Sequence, residues 1–95
     1  MSLSLADVRL VVPERVVTRT VEGTTVLMNI DSGRTFSLDD VGTRAWTLLT
    51  TCPSAQHAYE ALLTEFDVDP EVLRSDLESL IENLGARDLV EIHPA

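Results

Sequence analysis

The chain has 95 residues and a formal net charge of −9, with 16 acidic residues against seven arginines and no lysine. A chain this short supports one small core, which leaves little room for a deep catalytic cleft. Residues 1–44 carry six acidic residues and five arginines, whereas residues 45–95 carry ten and two, so the negative charge lies mainly in the C-terminal half and disfavours nucleic acid as a partner.

The N-terminal residues lack the basic and apolar regions of a signal peptide, and no run approaches the roughly 18 apolar residues of a membrane span. The single cysteine, Cys52, cannot form an internal disulfide, which agrees with a reducing compartment. The sequence therefore predicts a cytoplasmic protein that does not enter a membrane.

The first half of the chain predicts a small antiparallel sheet. Residues 1–13 are expected to form a flexible N-terminal arm, and residues 14–95 a single domain. Three stretches then have the composition or alternation of β-strands, at residues 16–21, 25–30 and 34–38. Two short connections contain the glycines that tight turns require, namely Glu22-Gly23 and Asp31-Ser32-Gly33.

Alternation within the predicted strands assigns side chains to faces. The second strand places Val26, Met28 and Ile30 on one face. The third strand directs Phe36 and Leu38 inward and leaves Thr35 and Ser37 on the opposite face.

The second half of the chain has helical periodicity. Asp39, Ser54 and Asp69 are expected to cap three successive helices, because their side chains can accept hydrogen bonds from the first free backbone N–H groups. The first helix is expected to end near Cys52, and the third to run over residues 70–86 with a leucine stripe facing the core. Residues 89–92 form a short extended tail. This order predicts an α+β fold in which a three-stranded antiparallel sheet packs on a three-helix bundle.

No residue pattern indicates catalysis. Cys52, His57 and His93 match no metal-ligand spacing, and the paired carboxylates occur where helices need caps. The four glycines are scattered and form no phosphate-binding loop. We therefore expect no catalytic residue, metal or cofactor.

Short helices beside a small sheet also occur in winged helix-turn-helix proteins, so a DNA-binding regulator is an alternative. Such a protein needs a basic recognition helix. The third helix instead carries more acidic residues than arginines, which disfavours contact with phosphates.

A small sheet has at least one open edge, and strand addition by a peptide is an established use of such an edge. The third strand and the third helix are expected to form the walls of a shallow groove. An ordinary solvated helix face explains the same periodicity, and an open edge can also pair with a second copy to make a homodimer.

Residues 26–46 resemble the centre of PqqD-like proteins. They contain a hydrophobic strand, the turn Asp31-Ser32-Gly33, an aromatic-containing strand with Phe36, and Gly42-x-x-x-Trp46 on a helix. Residues 62–70 and the leucine-rich last helix also match, so the resemblance covers about residues 14–92. It implies a winged helix-turn-helix-like fold, with Gly42 allowing close packing and Trp46 filling the core.

The resemblance also implies a function. PqqD-like proteins are non-catalytic peptide chaperones that bind the leader region of a ribosomally made precursor peptide and present it to a maturation enzyme, such as a radical enzyme, a leader peptidase or a cyclase. Carried over by position, the peptide contacts are Arg34, Thr35, Phe36 and Ser37 on the strand and Val72, Leu73, Asp76, Leu77 and Leu80 on the helix. The third strand lacks the aromatic-Gln-Leu-Asn ending of the lasso-peptide members, so the resemblance does not indicate the pathway.

Overall fold

The computed structural model describes residues 4–95, which contain five strands and three α-helices. The strands are β1 (Val8–Val11), β2 (Val16–Val21), β3 (Thr24–Asn29), β4 (Thr35–Leu38) and β5 (Glu91–Pro94). The helices are α1 (Asp40–Thr51), α2 (Ala55–Glu65) and α3 (Pro70–Ala86), and a short 3₁₀ helix, Leu5–Asp7, precedes β1. Within this described part, no helix is long and apolar enough to cross a membrane.

Strands β2, β3 and β4 form an antiparallel sheet in chain order. Glu22 and Gly23 form a two-residue hairpin loop, and both have positive φ angles, 53° and 83°. Such a loop matches the right-handed twist of the flanking strands. Gly33 has a φ of 75° in the second hairpin, as the sequence predicted. The predicted α+β arrangement of a three-stranded sheet and three helices is confirmed.

The helices begin where the sequence predicted. Asp39 Oδ1 accepts a hydrogen bond from the Gly42 N–H at 2.8 Å. Ser54 Oγ accepts from the His57 N–H at 3.3 Å. Asp69 Oδ1 accepts from the N–H groups of the second and third residues of α3 at 2.9 and 3.2 Å. Each cap satisfies donors that have no partner within the helix.

Helix α1 packs against β3 and β4 and so supports the sheet from one side. Trp46, 8% exposed, lies on α1 in the core. A Cβ atom at Gly42 would lie only 3.3 Å from the Leu38 Cβ atom, so the glycine lets the first turn of α1 approach the end of β4. The close packing expected at Gly42 and the core position expected for Trp46 both agree with this geometry.

The face of β3 that is buried is the less apolar of its two faces. Val26 and Met28 share a face, as predicted, but that face is solvent-exposed. Thr25, Leu27 and Asn29 point into the molecule instead. The buried Thr25 hydroxyl is satisfied because its Oγ1 lies 2.8 and 3.0 Å from the hydroxyls of two other threonines, one on β2 and one on α1.

The N-terminal segment departs from the predicted flexible arm. Residues 1–3 lie outside the described residues, but Leu5 and Leu10 are 0% and 5% exposed and belong to the core. Strand β1 pairs antiparallel with β5, so the extended tail and the N-terminal segment form a second, two-stranded sheet. The physical reason is that apolar side chains on β1 bury against α1 and α2, which holds the segment in place. The folded unit therefore begins before residue 14.

Candidate functional site

The outer edge of β4 is open among residues 4–95, because β4 pairs only with β3. The Asn29 N–H donates to the Arg34 carbonyl at 2.9 Å, which marks this pair as hydrogen-bonded. Hydrogen-bonded and non-hydrogen-bonded pairs alternate along an antiparallel ladder. The backbone groups of Phe36 therefore bond to β3, whereas the N–H and C=O groups of Thr35 and Ser37 point out from the sheet.

The C-terminal end of α3 lies beside the start of β4. Arg34 Nη1 donates a hydrogen bond to the Ala86 carbonyl at 3.3 Å. The Arg87 guanidinium carbon lies 5.1 Å from the centroid of the Phe36 ring, within the range of a cation–π contact. These contacts identify the flank of α3 that faces β4, a point the sequence left open.

The side chains on that flank follow from the helical repeat of 100° per residue. Looking down α3, four side chains lie within about 40° of Arg87, namely Leu73, Asp76, Leu80 and Asn83. The two leucines are half-buried, and the aspartate and asparagine are exposed. We call the surface between the open edge of β4 and this flank of α3 the groove.

Asn29 connects both walls of the groove. Its side chain is almost completely buried, at 2% exposure. Oδ1 accepts hydrogen bonds from the N–H groups of Asp31 and Ser32 at 2.9 and 3.1 Å, which orders the β3–β4 hairpin. Nδ2 donates to the Asp88 carbonyl at 2.9 Å, just beyond α3. All three bonds depend on one buried amide, so it positions the hairpin relative to the helix.

The structure distributes the nine predicted contact residues over three environments. Arg34, Thr35, Ser37, Val72 and Asp76 are exposed, and Phe36, Leu73 and Leu80 are half-buried. Leu77, in contrast, is 2% exposed and belongs to the core of α3 with Ile81 and Leu84. The predicted contact of Leu77 with a peptide therefore remains a prediction, and its position in this structure is that of a core residue.

Two groove residues were missing from the predicted contacts. Asn83 lies on the same flank of α3 as Asp76 and Leu80, although no contact was assigned to it. Arg87 follows the last helical residue, and only its contact with Phe36 places it in the groove. Asn83 Oδ1 accepts a hydrogen bond from Arg87 Nη1 at 3.3 Å. The sequence signal that could have identified Arg87 is its positive charge four residues after Asn83, which places it on the same side of α3.

The opposite face of the sheet carries a separate depression of about 560 Å³. Its lining includes Val17, Val26 and Met28, which are 45%, 43% and 38% exposed. Thr35 contributes to the rim, so the depression adjoins β4 on the side away from α3. A strand added to β4 would direct alternate side chains to the groove and to this outer face.

Of the residues considered for chemistry, His57 lies at a helix cap. The His57 Nδ1 atom lies 2.7 Å from Ser54 Oγ at the start of α2, where the serine caps the helix. Cys52 is a half-buried free thiol. Within residues 4–95, no group of three or more His, Cys, Asp or Glu side chains is arranged to hold a metal ion. The groove instead combines outward-facing backbone groups of β4 with half-buried apolar side chains of β4 and α3.

Comparisons with known proteins identify solved structures with a similar fold. A solved structure of TbiB1 in complex with the TbiA(beta) leader peptide is similar to the chain, with a TM-score of 0.77 and 29% identity over 84% of this chain and 93% of that one. Lasso peptide synthetase B1 complexed with its leader peptide has the same fold, with a TM-score of 0.78 and 17% identity over 87% and 98% of the two chains. A search of curated proteins found no match.

The family model for coenzyme PQQ synthesis protein D (PqqD) matches residues 24–90. This range runs from the start of β3 to the residue before β5, and it includes both walls of the groove. The match covers well over half of the chain and agrees with the resemblance seen in the sequence. The chain therefore belongs to the PqqD family.

Proposed function

We propose that this protein is a non-catalytic adaptor that binds the leader of a ribosomally made precursor peptide and presents it to a maturation enzyme. The leader adds as a strand to the open edge of β4. The observation that carries this proposal is the pair of outward-facing backbone groups at Thr35 and Ser37 beside the flank of α3 that carries the half-buried Leu73 and Leu80. The similar structure of TbiB1 with a bound leader peptide supports it.

Strand addition explains why the groove has these walls. The backbone N–H and C=O groups of β4 supply hydrogen bonds to a peptide of any sequence, and selectivity comes from side-chain contacts. Phe36, Leu73 and Leu80 are only half-buried, so a peptide side chain that covers them removes apolar surface from water. A short strand with two or three such contacts is expected to bind with micromolar or tighter affinity.

The test uses the N-terminal leader of a precursor peptide encoded beside the gene, labelled with a fluorophore and measured by anisotropy. Thr35→Pro removes an outward N–H and should abolish saturable binding, because proline is compatible with an edge strand but cannot donate. Thr18→Pro is the matched control. The Ile30 N–H donates to Arg15 O, so by the same alternation the Thr18 N–H points to the opposite edge of the sheet.

Wild-type binding by Thr35→Pro would contradict addition to β4. Loss of binding in both variants would indicate a damaged sheet, and circular dichroism distinguishes that case from specific loss. An unlabelled leader peptide must also compete with the labelled one, since only competition shows a saturable site.

The alternative of a winged-helix DNA-binding regulator is tested in the same measurement with a labelled mixed-sequence DNA duplex at low salt. Glu71, Asp76 and Glu82 are exposed on α3, the helix that would enter the major groove. Their charges repel phosphate, and low salt exaggerates any electrostatic attraction that exists. We expect no duplex binding. Duplex binding without leader binding would replace the adaptor proposal.

A further inference from the structure

Two arginines lie at one end of the groove. Arg34 occupies the position before β4, and its side chain reaches the Ala86 carbonyl at the end of α3. Arg87 lies over the Phe36 ring. Because residues two apart in a strand share a face, Arg34, Phe36 and Leu38 are all directed toward the helical side of the sheet. Both cations therefore belong to the groove wall.

Neither cation is neutralised by a neighbouring carboxylate. Among residues 4–95, carboxylate oxygens lie within 4.0 Å of Arg15 and Arg44, but none does so for Arg34 or Arg87. Arg34 uses one of its five N–H groups on the Ala86 carbonyl and is exposed. The remaining donors form a fork suited to a carboxylate.

We propose that Arg34 and Arg87 select leaders with an acidic residue two positions from an apolar residue in the added strand. This inference rests on the proposed strand addition to β4. Residues of an added strand directly opposite Arg34 and Phe36 are two apart and point to the same side of the sheet. Opposite charges favour an Asp or Glu opposite Arg34, and the Phe36 ring favours an apolar or aromatic residue.

The net charge of the protein opposes this preference, because a charge of −9 repels an acidic peptide at long range. At about 0.15 M salt, charges more than roughly 8 Å apart are largely screened. Asp76 is on the same flank but lies about 16 Å from Arg87 along the helix axis, so the two arginines dominate at their end of the groove. The net charge alone would favour basic leaders, whereas the groove favours an acid at one position. The two preferences give opposite experimental results.

The experiment selects binders from a phage-displayed library of random 12-residue peptides against the full-length protein. Peptides whose binding is lost in Thr35→Pro use the edge of β4. We expect these peptides to be enriched in Asp or Glu two positions from Leu, Ile, Phe or Tyr. Enrichment in Lys or Arg at that position, or no charge preference, would overturn the inference.

A double-mutant cycle then measures the contact. One selected peptide and its counterpart with Gln in place of the acid are titrated against the wild type and against the double variant Arg34→Gln/Arg87→Gln. We expect the Gln peptide to bind the wild type about tenfold more weakly, and the double variant to bind both peptides equally weakly. The control, Arg9→Gln/Arg74→Gln, removes the same charge away from the groove and should bind like the wild type, since Arg9 lies on β1 and Arg74 lies over the Tyr59 ring of α2.

The outcomes separate this inference from the proposed function. If selected peptides bind Thr35→Pro as well as wild type, they do not use β4, and both proposals fail. If the proline abolishes binding but the acidic and Gln peptides bind equally, strand addition stands and the inference is wrong. Circular dichroism checks the fold of the double variant, which we expect to be retained because the glutamine that replaces Arg34 keeps a donor for the Ala86 carbonyl.

Discussion

Asn29 shows how one buried polar side chain organises the candidate site. Its amide holds the β3–β4 hairpin through two backbone N–H groups and holds the end of α3 through the Asp88 carbonyl. A buried polar group is tolerated only when it is hydrogen-bonded, and this one satisfies both its oxygen and its nitrogen. It therefore links the two walls of the groove at the cost of a hydrophobic position in β3.

We predict that Asn29→Ala lowers both stability and leader affinity. The substitution leaves two N–H groups and one carbonyl without their partner, and each buried group costs about 1–3 kcal/mol unless water reaches it. Urea unfolding followed by Trp46 fluorescence measures the first effect, and anisotropy measures the second. Gln56→Ala is the control, since Gln56 lies on α2, away from the groove, and its Nε2 donates to Glu60 Oε2 in the same helix. An unchanged midpoint for Asn29→Ala would contradict the anchoring role.

Leu77 and Leu80 provide a matched pair on α3 with different surroundings. Leu77 is 2% exposed, whereas Leu80 is half-buried at the groove. We predict that Leu77→Ala costs about 2–5 kcal/mol of unfolding free energy, and that Leu80→Ala costs less because it leaves a smaller cavity. Leader affinity should show the reverse order. A folded Leu77→Ala variant with the greater loss of affinity would show that Leu77, as the family resemblance implied, contacts the peptide.

At the scale of elements, an ion pair joins α1 to α2. Arg44 Nε donates to Glu65 Oε2 at 2.9 Å, and Nη2 donates to Oε1 in the same side chain. The hydrogen bond from Arg44 lowers the pKa of the Glu65 carboxyl below its usual value of 4.5. A carboxyl whose pKa is lower in the folded state stabilises that state above the unfolded pKa, and the contribution disappears as pH falls through the folded pKa.

We predict that Glu65→Gln is less stable than wild type at pH 7 and that the difference is smaller at an acidic pH, because the contribution is lost as pH falls through the folded pKa of Glu65. Both side chains are on the surface, so the effect at neutral pH is expected to be small. Urea unfolding at the two pH values measures it, with Glu60→Gln, also on α2, as the control. A difference that persists unchanged at low pH would show that the ion pair is not its cause.

The sheet as an element also decides which face of β3 is buried. Alternation identifies two faces but not which one is buried, because β3 has Leu27 on one face and Val26 and Met28 on the other. The hairpin loops fix the register with both neighbouring strands, and that register turns Thr25, Leu27 and Asn29 toward the helices. The apolar side chains left outside line the depression beside β4.

At the scale of the whole molecule, the two ends of the chain close the domain together. The pairing of β1 with β5 covers the core with Leu5 and Leu10 on the N-terminal side and Leu89 and Val90 just before β5. Chain termini that form a sheet in this way cannot be removed without exposing apolar surface. The N-terminal segment is therefore part of the folding unit.

We predict that Leu10→Ala lowers the melting temperature by about 10 °C or more, because truncating a buried leucine costs about 2–5 kcal/mol and each kcal/mol shifts a domain of this size by about 4–8 °C. Arg9→Ala is the control on the same strand, since Arg9 is exposed. Differential scanning calorimetry measures both. Equal melting temperatures would support the loose arm that composition suggested.

The sequence by itself determined the three helices and their caps, because capping and helical periodicity depend on residues within four positions of one another. It also determined the strands of the three-stranded sheet to within one residue, and the order of elements was enough to suggest the family. The departure from the lasso-peptide ending of the third strand did not prevent a common fold, since backbone pairing tolerates such changes.

Only the tertiary structure decided the features that join distant parts of the chain. It paired the first strand with the last, selected the face of β3 that is buried, and turned one flank of α3 toward β4. It also placed Arg87 beside Phe36 and buried Leu77 in the core. The physical reason is that these contacts depend on how packed elements are oriented, and local periodicity contains no information on the orientation of one element relative to another.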